Sequence, residues 1–136
     1  MSGPSATPIQ VPDAPQAIGP YSQGQMVDLG THLMLWSAGQ VGLDPASGEM
    51  VPGGIEAETE RAFANLTAIL RGGGMTLAEV VKTTVYLMDM QDFAAMNAVY
   101  ARQFGATPPA RTTIAAAGLP KGARVEIEVV AVARRA

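Results

Sequence analysis

The sequence predicts one α+β domain, a mixed sheet of about six strands with two helices on one face. Three observations predict it. Apolar residues recur at helical spacing over 55–71 and again over 93–104. The intervening and following runs are rich in β-branched residues, which suit strands. No linker is long enough to divide the chain into separate domains. The expected order is β-β-α-β-α-β-β. Two such helices cover only one face of the sheet, so the other needs a cover, and self-association supplies it most simply.

Composition narrows the functions. The chain has 136 residues, 48% hydrophobic and 15% charged, with mean hydropathy +0.17. That is apolar for so small a domain, and again suggests surface buried between copies. The net charge of −3 argues against nucleic acid held by bulk charge. There is no cysteine and one histidine, which excludes a thiolate nucleophile, a disulfide framework and a His-rich metal site within one chain. No apolar run is long enough for a membrane span. Met1 to Pro15 lacks the basic and apolar regions of a secretion signal, so a soluble cytoplasmic protein is expected.

Residues 1–16 hold four of the ten prolines and no periodicity, and read as a flexible or extended lead-in to a single domain over 17–136. Strands are expected at 23–29 and 33–41, joined around Asp28-Leu29-Gly30-Thr31, with Asp44 to Gly48 as a turn. His32 falls at the edge of this hairpin, without an orienting carboxylate nearby other than Asp28. In the helix over 55–71, Ile55, Thr59, Ala62, Phe63, Leu66, Ile69 and Leu70 form the inner stripe. Glu56, Glu58 and Glu60 read as its solvated face. Gly72-Gly73-Gly74 stops it and, lacking the Lys-Ser/Thr of a phosphate loop, is only a stop. A strand follows over 80–88. Asp92 is a candidate cap for a second helix, whose Phe93, Met96, Tyr100 and Phe104 share a face, with Gly105 and Pro108-Pro109 ending it.

The polar groups that stand out lie in the last two strands. In Val125 to Val132, Val125, Ile127, Val129 and Ala131 point one way, and Glu126, Glu128, Val130 and Val132 the other. The two glutamate Cβ atoms should lie about 7 Å apart. Such a pair could serve glycoside hydrolysis, but one Trp and three Tyr offer few sugar platforms. It could equally be two exposed residues pairing with Arg124 or Arg134. Arg111, at the head of the preceding strand, is either a surface arginine or a rigid fork for a carboxylate.

Several spaced blocks resemble one family. Pro109-Ala110-Arg111, Ile114, Leu119-Pro120-Lys121 and Val125-Glu126-Ile127-Glu128 are similar to the C-terminal signature of the RidA/YjgF family of enamine/imine deaminases, also labelled endoribonuclease L-PSP. Ala17 to Gln23, Ala38-Gly39-Gln40, Val81 to Val85 and Phe93 to Asn97 resemble its earlier motifs. The resemblance implies a chorismate-mutase-like fold and a homotrimer with pockets between subunits. It implies that Arg111 binds a substrate carboxylate and that Glu126 orients and activates water. Tyr21, Gly39, Thr113 (through its main chain) and Asn97 would line the pocket. The substrate would be a small 2-imino acid, with no cofactor and no metal. The chain departs from the pattern at Thr112, Thr113 and Ala38, and in a longer first hairpin bearing Trp36. Other openings are a paralogue acting on another imine, enamine or carbamate-like compound, a non-catalytic binding or chaperone-like trimer, and the ribonuclease of the older label.

Overall fold

The computed structural model describes residues 5–136. Six strands form one sheet in the order β1-β2-β3-β6-β4-β5. They are β1 (Ser5–Ile9), β2 (Gly24–Asp28), β3 (His32–Ser37), β4 (Val80–Leu87), β5 (Ala110–Ala115) and β6 (Val125–Arg134). Only β4 and β5 pair in parallel. Helix α1 (Gly54–Gly72) connects β3 to β4, and α2 (Phe93–Gln103) connects β4 to β5. The two predicted helices and the predicted mixed sheet are all present.

The lead-in contains an element the sequence reading lacks. Ser5–Ile9 pairs antiparallel with β2, matching Ser5 to Asp28 and Ile9 to Gly24. Over these residues the lead-in takes the extended of its two expected forms, as an edge strand, while residues 1–4 of it lie outside the described residues. Pro8 is tolerable there, because one side of an edge strand makes no ladder bonds. Gln23 fixes the chain after β1. Its side-chain oxygen accepts the Val11 N–H at 2.6 Å, and its Nε2 donates to the Pro15 carbonyl at 2.8 Å.

The alternation predicted for the last strand holds. Val125, Ile127, Val129 and Ala131 are buried, facing Phe63, Leu66, Ile69 and Leu70 of α1 and Met96 and Tyr100 of α2. Leu35, Val85 and Leu87 join them from neighbouring strands. The opposite face carries Met34, Trp36, Thr84, Tyr86, Glu126, Glu128, Val130 and Val132, aligned across β3, β6 and β4. Among the described residues no helix covers it, and Trp36 and Ile114 remain exposed.

Helix ends follow from local chemistry. At the glycine run, the Gly74 N–H donates to the Arg71 carbonyl and the Met75 N–H to the Leu70 carbonyl, both at 2.9 Å. This is a Schellman stop, and it needs the positive φ of 74° at Gly74. Asp92 stands at the N-cap position of α2, as the sequence suggests, but its side chain makes no capping hydrogen bond. Asp89 accepts the Gln91 N–H at 2.9 Å and opens a short 3₁₀ turn, while Asp92 is held by Arg124 at 2.8 Å. Phe104, already extended, ends α2 one residue before Gly105.

Candidate active site

Arg111 opens β5 on the sheet face that the helices cover, level with Thr83 of β4. Its guanidinium carbon lies 4.5 Å from the centroid of the Tyr100 ring and 5.4 Å from that of Phe93. Nη1 donates to Asn97 Oδ1 at 2.7 Å. Tyr100 is itself fixed: its hydroxyl shares a 2.7 Å hydrogen bond with Thr83 Oγ1, and its ring packs against Phe63 and Phe104. The arginine is thus oriented by aromatic faces and a neutral amide. Among the described residues no carboxylate pairs with it. It borders a depression of about 420 Å³ together with Asn97, Phe104 and Pro109.

Glu126 lies on the other face. It is level with Tyr86 and borders a larger cavity of about 820 Å³ with Tyr21, Gly39, Gln40 and Lys121. Gly39 crosses directly over it: a Cβ built there would come within 2.1 Å of Glu126 Oε1. Reciprocal 2.8 and 2.9 Å bonds between the main chains of Gln40 and Ile127 fix that crossing. Burial, and then the neighbouring charge of Glu128, push the Glu126 carboxyl above the ordinary glutamate range. A carboxylate so perturbed is a better proton acceptor than an exposed one. Glu128 accepts the Tyr86 hydroxyl at 2.7 Å, not an arginine. That bond, with burial second, raises the Tyr86 pKa. Arg124 is engaged by Asp92.

The residues singled out from sequence therefore form two groups. Arg111 and Asn97 share one depression, while Tyr21, Gly39 and Glu126 share the other, with no lining residue in common. Within one chain Arg111 and Glu126 do not meet. Thr113 lies two residues beyond Arg111 on the helix-covered face, and its buried hydroxyl has no partner among the described residues. Among the described residues the His32 ring hydrogen-bonds only with its neighbour Thr31, at 2.9 Å, and it borders neither depression. Among the described residues no cluster of His, Asp and Glu could hold a metal ion.

Sequence reading missed two polar residues near Glu126. Lys121 borders its cavity with a positive φ of 59°, a conformation nothing in the sequence pattern signals. Glu58 of α1, expected on the solvated face, is buried and accepts the Arg124 N–H at 2.9 Å. The row Ile55, Glu58, Ala62, Asn65, Ile69, at alternating three- and four-residue spacing, carried that signal.

A one-sided mixed sheet with charged depressions on both faces defines a small α+β domain of the ligand-binding kind. The chain belongs to the RidA/YjgF family: the family model described as endoribonuclease L-PSP matches residues 11–133. A goat protein named 2-iminobutanoate/2-iminopropanoate deaminase is 48% identical over 124 residues, covering 91% of this chain and 88% of its own length. The crystal structure of the Escherichia coli YjgF gene product superposes with a TM-score of 0.84 at 40% identity, over 94% of this chain and 99% of that one. Escherichia coli TdcF, solved with bound serine, gives 0.83 at 36% identity, over 96% and 99%. The fold is thus the chorismate-mutase-like fold of this family.

Proposed function

We propose that this chain is a deaminase acting on small 2-imino acids derived from 2-aminoacrylate-type enamines. It releases 2-oxo acids and ammonia in the cytoplasm, from sites between the subunits of a homotrimer. The observation that carries the reading is Arg111, a cation oriented by Tyr100, Phe93 and Asn97 with no carboxylate partner among the described residues. A guanidinium held this way is suited to a substrate carboxylate, which it can grip with two parallel hydrogen bonds. The names of the deaminase relative and of serine-bound TdcF support a small substrate bearing a carboxylate.

In this reading the carboxylate bound by Arg111 presents the C=N carbon to water. Glu126 accepts a proton as the water oxygen bonds to that carbon and the C=N π pair moves to nitrogen. The same proton passes to the nitrogen, the C–N bond breaks and ammonia leaves, and the C–OH gives its proton to the freed Glu126 carboxylate, and from there to solvent, as it becomes C=O. The protonated imine is already electrophilic, so the scheme calls for no metal, cofactor or covalent intermediate. Tyr21 and Gly39 wall the Glu126 side, and main-chain groups near Thr113 serve the Arg111 side. Because Arg111 and Glu126 face opposite sides of the sheet, the reading pairs Arg111 of one subunit with Glu126 of the next.

The test couples an amino-acid oxidase to this protein and follows the disappearance of the imino acid and the release of ammonia. Wild-type protein should accelerate decay of 2-iminopropanoate, and Arg111→Ala should abolish the acceleration with the assembly intact. Full activity in Arg111→Ala would sink the anchor assignment. Comparing several imines in the same assay separates this reading from a paralogue dedicated to another imine or a carbamate-like compound.

A further inference from the structure

We infer that Glu58 and Asn65 of α1 are positioning residues that clamp the main chain on both sides of Glu126. The inference rests on the reading of Glu126 as the base.

Asn65 is fully buried. Its Nδ2 donates to the Val41 carbonyl at 3.2 Å and the Leu43 carbonyl at 2.9 Å. Its Oδ1 accepts from Arg61 Nε at 3.0 Å and Nη2 at 2.8 Å. Every hydrogen-bonding position of the amide is used, and its orientation is set by carbonyls on one side and a guanidinium on the other. Glu58, two turns earlier on the same face, takes the Arg124 N–H just before β6 begins. Gly42 lies so close to it that a Cβ would come within 2.7 Å of the Glu58 Cα.

Two segments meet at Glu126, and α1 holds both. Asn65 and the Gly42 contact draw the strip from Val41 to Leu43 onto the helix. The strip continues back through Gln40, bridged to Ile127, to Gly39, which crosses the Glu126 carboxyl. Glu58 fixes the entry to β6 two residues before Glu126. Loosening either tie shifts the Gly39 crossing relative to the carboxyl, which changes its exposure to water. Shifts on the order of 1 Å can cost about 10²-fold in rate. Neither residue borders either depression, so neither touches substrate.

The titratable groups facing Glu126 are Glu128 along β6, Tyr86 from β4, and Tyr21 and Lys121 along its cavity. None belongs to α1. A change in Glu126 titration on altering α1 therefore reports geometry, not a lost charge contact on that helix.

The experiment uses the full chain in its native assembly, with the Glu126 carboxyl followed by carbon-13 NMR and imine hydrolysis measured in parallel. In Glu58→Ala and Asn65→Leu, Glu126 should titrate lower than in wild type as water reaches it. In both, kcat should fall on the order of 10-fold with little change in KM. Glu58→Gln keeps an oxygen acceptor for the Arg124 N–H and should restore both properties. The inference is overturned if Glu126 titrates as in wild type in both variants, with activity lost only in proportion to folded protein. It is equally overturned if Glu58→Gln is as impaired as Glu58→Ala, or if KM alone rises. Should wild type hydrolyse no imine, the functional reading fails, and the NMR titration still decides the clamp.

Discussion

Arg111 is tied to the fold by groups that cannot neutralise it, and Glu126 is half-buried beside a second carboxylate. The two therefore fail differently when altered. Arg111→Lys keeps the charge but loses the planar fork that stacks on Tyr100 and grips two oxygens. A rise in KM exceeding the fall in kcat is expected, measured by steady-state imine hydrolysis. Glu126→Gln keeps the shape but cannot accept the proton, and kcat should fall by roughly 10²–10⁴. Its stability should move the other way. The folded-state pKa of Glu126 is raised, so ionisation disfavours the fold as pH climbs through that value. Below the unfolded glutamate pKa both states are protonated and no penalty exists. Glu126→Gln should therefore melt higher than wild type at neutral pH, the gap closing in acid, as Tm against pH would show. The kcat/KM profile should rise with pH through the raised Glu126 value, not the ordinary one. Arg111 and Glu126 were legible because charged residues interrupt strands of otherwise apolar type. Glu58 was not, since three glutamates within five residues look alike until helical phase is compared with the core stripe.

At the scale of elements, the helices and the central strands were readable because their periodicities are long and unbroken. β1 was not: five residues with a proline carry too little pattern, and only pairing with the extended β2–β3 hairpin makes them a strand. Asp92 was readable as the N-cap position of α2, but the use of its carboxylate by Arg124, distant along the chain, was invisible locally. Connections carry function here as much as strands do. Gly39 exists as glycine because the Glu126 carboxyl occupies the space of a side chain. Gly39→Ala should leave the fold intact, since the carboxyl can swing away, yet reduce kcat by at least about 10-fold through misplacement of the base. Near-normal turnover would show that the crossing does not orient Glu126. Lys121, by contrast, holds a left-handed conformation at a cost of roughly 1–2 kcal/mol. Lys121→Gly relieves it while loosening the unfolded chain, leaving a gain of about 0.5 kcal/mol, readable by denaturant unfolding.

At the scale of the molecule, the sheet has one face packed by α1 and α2 and another bearing Trp36, Met34, Val130, Val132 and Ile114. An apolar face of this kind favours association, as the composition already suggests. Trp36→Asp should weaken the assembly, lowering the mass measured by light scattering, and activity should fall with it if sites lie between subunits. Dissociation alone could remove activity for other reasons, so a second measurement is needed. Arg111→Ala and Glu126→Gln chains, each inactive by itself, can be unfolded together and refolded as mixed assemblies. If each site takes Arg111 from one subunit and Glu126 from its neighbour, random mixing in equal amounts should leave about a quarter of the sites with both groups intact. If both groups served one substrate within a single chain, no mixture would recover any site. Placement of Arg111 and Glu126 on opposite sheet faces favours recovery, and persistent inactivity of the mixture would refute the shared site while leaving the role of each residue to its own variant.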